Sequence, residues 1–263
     1  MPAFLFSPLC SLGHGEAALQ RPHSQPPATA KESLTAAQNQ LIAKLPRADR
    51  KRLLAACETV DLVLAEVLCE RGRPSRHVYF PVDGFISLVA QIDAHPGLEV
   101  GMVGREGMFG AHLALGVATE PLRGLVQGPG AAWRISAAAF RRELLASAAL
   151  QVSLNRYLYV LMAQLASSAG CLRFHLIGPR LARWLLMTQD RAHSTQFRVT
   201  HEFLSYMLGV RRVGITAAAG ALQRSGLVEY HRGEMTVIDR SGLEAAACSC
   251  YATDRRAYAD WMR

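Results

Sequence analysis

Apolar positions repeat with different periods along this chain, and the changes of period divide it. Over 38–57, Leu41, Ile42 and Leu45, then Leu53, Leu54 and Cys57, recur at helical spacing, with Pro46 breaking the run. From about 60 to 135 the period shortens. Val60, Leu62 and Leu64 alternate with Asp61, Val63 and Ala65, and Val78–Phe80, Phe85–Val89 and Leu125–Val126 read as short strands. Turn signals at Arg73-Pro74, Pro81–Gly84, Pro96-Gly97 and Gly128–Gly130 separate them, which predicts a compact antiparallel roll. A long helix is expected from about Ser136 to Phe174. One seam runs Leu150, Leu154, Leu158, Leu161, Leu165, Leu172, and a second stripe runs Val152, Tyr159, Met162, Ala166, Ala169. Two apolar faces call for two partners: the chain's own roll and an identical chain. A helix buried inside one domain is the other reading.

The segment Thr200–Leu222 has the spacing of a helix-turn-helix. Thr200 can cap the first helix, and Glu202 sits in its first turn, where a negative charge suits the helix dipole. Leu204 and Leu208 face inward, Ser205 is small where two helices must approach, and Gly209 sits at the turn. Val210, Ile215, Ala218 and Leu222 form the inner face of the second helix. Its outer start carries Arg211, Arg212, Val213, Gly214, Thr216 and Ala217. A planar guanidinium can bond a guanine edge at two points or a phosphate, so the two arginines suit DNA; a solvated helix end is the plain alternative. Ser225–His231, Arg232-Gly233-Glu234 and Met235–Ile238 then read as a hairpin, or wing, with Arg232 at its tip.

Glycine recurs every third residue through Gly101, Gly104, Gly107 and Gly110. Such a run either cradles an anion on turned backbone amides or simply makes tight turns of the roll. Residues 1–37 are rich in Pro, Ser, Gln, Ala and His. With Pro22, Pro26 and Pro27 they read as a disordered leader without a secretion signal.

Composition adds less. Of the net charge of +8, residues 143–263 carry +5, from 14 bases against 9 acids. That lean favours a polyanion partner for the C-terminal half. Six scattered cysteines, Cys10, Cys57, Cys69, Cys171, Cys248 and Cys250, show no Cys-x-x-Cys spacing, so reduced thiols and no metal site are expected. No apolar run reaches the roughly 18–20 residues of a spanning helix, so no membrane partner is expected. No catalytic set is visible: His201-Glu202 begins like a zinc-protease motif, but position 205 is Ser. Asp190, Arg191 and His193 read as surface.

On these residues the chain resembles the Crp/Fnr superfamily of bacterial transcription regulators, over about 40–250. The resemblance implies an α+β architecture: a leader (1–37), a cyclic-nucleotide-binding-like β-roll sensor (38–142), a dimerisation helix (143–176), a winged helix-turn-helix (177–250) and a C-terminal tail (251–263). It implies a cytoplasmic homodimer joined through Val152, Leu154, Leu158, Tyr159, Leu161, Met162, Leu165 and Ala166. Double-stranded DNA with a palindromic operator, RNA polymerase and a small-molecule effector are the partners it implies. Of the family's cyclic-nucleotide cassette, a Glu with an Arg-Ser or Arg-Thr, Glu106 fills the first place, and Gly124 stands where the hydroxyl after Arg123 should be. The effector pocket is therefore expected at Gly104, Glu106, Gly107, Met108, Arg123 and Gly124, for a ligand other than cyclic AMP. The family's reader helix carries an Arg, an adjacent Glu and a further Arg; here Arg212 keeps the first place, and Val213 and Ala217 replace the others. The Fnr-type N-terminal cysteine cluster is absent, and no cofactor is indicated. The competing function is a ligand- or partner-binding sensor module whose DNA-binding domain is vestigial.

Overall fold

The computed structural model describes residues 39–93, 95 and 97–262. The expected leader and Cys10 lie outside them. Pro46 separates two short helices, α1 (Gln40–Ala43) and α2 (Arg47–Ala55). Asn39 caps α1 by accepting from the Ile42 amide at 3.2 Å, and its own amide donates to Pro81 and Gly107, which ties the entry to the roll.

Seven strands build the roll: β1 (Glu58–Leu62), β2 (Val67–Cys69), β3 (His77–Pro81), β4 (Phe85–Ala90), β5 (Leu98–Val103), β6 (Arg123–Gly128) and β7 (Gly130–Ser136). They form two antiparallel sheets, ordered β1-β7-β3 and β2-β6-β4-β5. Leu62, Tyr79 and Ala132 of the first meet Ile86, Leu88, Val103 and Val126 of the second, with Phe109, in one core. Burial of each large side chain there contributes about 1.5–3 kcal/mol. The glycine run, which reads as an anion cradle or as turns of the roll, begins as strand, with Gly101 paired to Leu88.

The long helical stretch is two helices, α3 (Ala137–Ala146) and α4 (Ala148–Phe174). Ser147 breaks it with an extended backbone and restarts it by accepting from the Leu150 amide at 3.0 Å. The face of α4 buried in its own chain runs Leu150, Leu154, Tyr157, Val160, Gln164, Ser168, Cys171. Polar Gln164 and Ser168 are therefore inside, while Leu158, Leu161 and Leu165 of the leucine seam are only half-buried.

The rest comprises α5 (Ile177–Ala192), β8 (Gln196–Arg198), α6 (His201–Met207), α7 (Arg212–Arg224), β9 (Val228–His231), β10 (Glu234–Val237), α8 (Arg240–Ala246) and α9 (Cys250–Trp261). The hairpin carries β8 on its other edge, order β8-β10-β9. Phe85 and Met102 of the roll share one core with Leu181, Trp184, Leu204, Ile215 and Leu222, so roll and winged domain are packed together. The stretch expected as a tail is mostly α9, which packs along α4; the Tyr159 and Trp261 rings meet edge to face at 5.0 Å. Among the described residues no helix is long and apolar enough to cross a membrane.

Candidate nucleic-acid interface

The two helices of the motif form as their residues dictate. Thr200 caps α6, accepting from the Phe203 amide at 3.1 Å. Gly209 turns the chain at φ 62, a left-handed conformation that favours glycine, and an added Cβ would stand 2.7 Å from Leu98 Cδ1. Ile215, Ala218, Ala219 and Leu222 bury the inner face of α7. Arg211, Arg212, Val213, Thr216 and Ala217 are exposed on its outer side, and Gly214 is half-buried. No side chain caps α7 at Arg211, which leaves an open helix start of the kind that receives phosphate.

Around this face Thr216 is already engaged: its hydroxyl donates to the Arg212 carbonyl and lies 3.1 Å from His201 Nδ1. The His201 ring stacks on Tyr230 at 4.2 Å, pinning the strand β9 to the motif. Burial, then the nearby Arg212 charge, hold the His201 pKa below its ordinary value, so this edge of the motif is not a second cation at neutral pH. The β9–β10 turn has Arg232 at φ 49 and Gly233 at φ 86, the two left-handed positions of a tight hairpin turn, and Arg232 is exposed at the tip. Arg211 and Arg212 also line a groove of about 760 Å³ that reaches Ile92 and His95 of the β4–β5 connection and Leu98 at the start of β5. In this arrangement the start of α7 thus abuts the roll.

The residues expected to form the effector pocket are already in contact with the protein itself. Glu106 pairs with Arg191 at 2.8 Å and accepts from the Gly104 amide at 3.1 Å. A Cβ on Gly107 would stand 2.3 Å from the Tyr157 hydroxyl, and one on Gly124 2.3 Å from Phe109 Cζ, so two rings cover these glycines. Met108 is buried in the core beside Tyr157, and Arg123 pairs with Glu70 at 3.4 Å. Arg191, read above as surface, instead joins the roll to α5 by reaching Glu106, and Asp190 ties α5 to α8 by pairing with Arg240 at 2.7 Å. Burial alone would lower the Arg191 pKa; Glu106, then Tyr258 and Asp190, hold it above its ordinary value. A second tie joins Trp184 Nε1 to the Glu99 carboxylate at 2.9 Å.

On α4, Val152, Tyr159, Met162 and Ala166 are exposed together, and Trp261 extends their surface. Leu154 is not available to a partner chain, because it is fully buried under its own roll.

Two other clusters stand out. Ser75 Oγ lies 3.1 Å from His112 Nε2, and His112 Nδ1 lies 3.3 Å from Glu120. Ser75 also donates to Glu120, and all three are buried, so the group satisfies itself. Burial pushes the Glu120 carboxyl up to about 7 and the His112 ring down, both towards neutral. The second cluster is Cys171, His175, Cys248 and Cys250, whose ligand atoms all lie within 4.8 Å of one another. Cysteine spacing missed it because its two halves are over 70 residues apart; the only local signals were Cys171 and His175 one helical turn apart and the Cys-x-Cys pair.

Residues 179–246 match the family model of the Crp-like helix-turn-helix domain. No curated protein matches the chain in sequence. Among solved structures it is similar to the c-di-GMP responsive global regulator CLP of Xanthomonas campestris (20% identity, TM-score 0.55, 73% of this chain and 99% of that one). It is also similar to a transcriptional regulator of the Crp/Fnr family from Eubacterium rectale (19%, 0.58, 78% and 96%). A CRP-family transcriptional regulator from Thermus thermophilus compares similarly (20%, 0.57, 72% and 96%). The chain carries a Crp-like helix-turn-helix domain within the fold of the Crp/Fnr transcription regulators.

Proposed function

We propose that the protein is a cytoplasmic, sequence-specific DNA-binding transcription regulator that acts as a homodimer on a palindromic operator. The observation that carries this reading is the outer start of α7. Arg211 and Arg212 stand exposed on an uncapped helix start, inside a segment that matches a Crp-like helix-turn-helix. Arg212 reads a base edge in the major groove, while Arg211 and the wing residue Arg232 hold phosphates. Val213 and Ala217 offer apolar contact only, suited to a thymine methyl. The exposed stripe Val152, Tyr159, Met162, Ala166 of α4 supports a two-fold dimer, with Leu158, Leu161 and Leu165 at its margin. Such a dimer presents two reader helices about one DNA turn apart.

The effector differs from cyclic AMP in this reading. Gly124 supplies no hydroxyl, Phe109 fills the space beside it, and Glu106 is committed to Arg191. Effector binding changes how the winged domain sits on the roll, through the Glu106–Arg191 and Glu99–Trp184 ties. RNA polymerase is the downstream partner. Gel-shift assays on genomic fragments with a salt titration test the core of the proposal: affinity should fall steeply with salt, and salt-independent or absent binding would refute it.

A further inference from the structure

The end of α4 and the segment leaving α8 bring four soft ligands to one point. Cys171 and His175 lie one turn apart at the C-terminal end of α4, and His175 is the residue that ends the helix. Cys248 and Cys250 flank the start of α9, where the Cys248 amide donates to the Pro179 carbonyl and holds this segment against the first turn of α5. The Cys171 and Cys248 sulfurs are 3.6 Å apart, and Cys250 Sγ is 3.6 Å from His175 Nδ1. All four ligand atoms fall within 4.8 Å of one another. Tetrahedral zinc with a Zn–S bond of about 2.3 Å places neighbouring sulfurs roughly 3.8 Å apart, close to these contacts. A disulfide would need the sulfurs at about 2.05 Å. A binuclear iron–sulfur cluster would set ligands of different irons farther apart than this group allows.

Charge supports an anionic centre here. Three thiolates and one divalent cation sum to minus one. Arg180 and Arg183 line the same small cavity as Cys171. Arg180 is 8% exposed and donates from Nη2 to the Leu208 carbonyl, but among the described residues it has no carboxylate partner. Arg183 pairs with Asp254 at 2.6 Å, yet its Nε is buried without a hydrogen-bond partner. A buried guanidinium needs a counter-charge, and a metal–thiolate group supplies one. Cys171 and Cys248 are buried while His175 and Cys250 are half-buried, which leaves a way in for an ion.

We infer that Cys171, His175, Cys248 and Cys250 form a closed four-ligand site for zinc, built between the end of α4 and the α8–α9 connection. Four protein ligands leave no open position, the arrangement of a structural rather than a catalytic zinc. The ion fastens the end of α4 to the segment that connects the winged domain to α9.

The test uses the full chain purified anaerobically in reductant, and does not depend on DNA binding. Elemental analysis should find one zinc per chain. After metal removal, cobalt(II) should bind with the same stoichiometry and give the thiolate charge-transfer and visible bands of a tetrahedral site. Cys250→Ser and His175→Ala, both at half-buried positions, should lose stoichiometric cobalt binding while keeping the wild-type circular dichroism. Cys69→Ser, on β2 and outside the cluster, should retain it. Three results would each overturn the inference: reduced, folded protein that takes up neither zinc nor cobalt, a Cys171–Cys248 disulfide in the anaerobic preparation, or iron with cluster absorption in place of zinc.

Discussion

Replacing Arg191 with Met removes one half of a buried ion pair that joins the glycine-rich turn to α5. The Arg191 side chain is 8% and that of Glu106 16% exposed, at 2.8 Å. At 2.8 Å and an effective dielectric of about 20, the pair's attraction is roughly 6 kcal/mol. The variant also loses the Nη1 bond to the Met187 carbonyl and leaves Glu106 with the Gly104 amide as its remaining donor. Breaking one partner of a buried pair costs about 3–5 kcal/mol. For a chain of this size, 1 kcal/mol moves Tm by about 2–4 °C, so a fall of roughly 6–20 °C follows. Adding Glu106→Gln should recover much of the loss, because the stranded charge is gone. Urea unfolding of both single variants and the double variant at pH 7.5 measures the coupling, expected at about 2 kcal/mol or more. A single-variant cost under about 1 kcal/mol, or additive singles, would refute the reasoning. Glu106 would then be a solvated carboxylate, free to meet an effector as its place in the cassette implied.

Three further predictions concern other parts. Tyr159→Glu with Met162→Lys, both on the exposed stripe, should turn a wild-type dimer into folded monomers by analytical ultracentrifugation; a wild-type monomer at micromolar concentration would remove the dimer. Gly124→Ser restores the family hydroxyl but should not create cyclic AMP binding in calorimetry, since the new Cβ meets Phe109 at 2.3 Å; micromolar binding by the variant would contradict this. Glu99 is pushed up to about 7, from 4.5, by burial, against the lowering effect of its bonds to Ser87 and Trp184. The folded state therefore holds a proton the unfolded state releases, and stability is lost as pH rises from about 4.5 to about 7. The loss is at most roughly 3 kcal/mol, less whatever solvent screens of this part-buried group. Glu99→Gln should flatten the slope of Tm against pH over that window, and an unchanged slope would assign it to other groups.

What the sequence made legible was the local part of the architecture. The helix-turn-helix could be read because each of its demands, a cap at Thr200, a turn at Gly209 and an inner face at Ile215 and Ala218, falls within one short segment. The roll's strands β1, β3, β4 and β6 showed through alternation and turn residues. Those that did not, β2, β5 and β7, are short, glycine-containing or Ala-rich, so their pattern is weak. The leucines of α4 suggest one seam, yet tertiary packing buries Tyr157, Gln164, Ser168 and Cys171, because α9 and the roll pack on that face. Residues 251–263 read as a tail, since in α9 Tyr251 and Asp254 are the only buried positions and no apolar stripe announces a helix. Arg191 and Asp190 looked like surface for the same reason: their partners, Glu106 and Arg240, lie far away in sequence.

The central claim is that α7 reads DNA, and Arg212 is where it can be measured most directly. Wild type, Arg212→Ala and Arg211→Ala are each selected against a randomised-site library at two salt concentrations. Loss of a two-point base contact costs about 1–3 kcal/mol and relaxes preference at one base pair per half-site. Loss of a phosphate contact weakens all sequences alike and lowers the salt slope by about one per contact. Arg212→Ala should therefore flatten sequence preference, and Arg211→Ala should mainly reduce salt dependence. An Arg212→Ala protein that keeps both its affinity and its sequence preference would contradict the account.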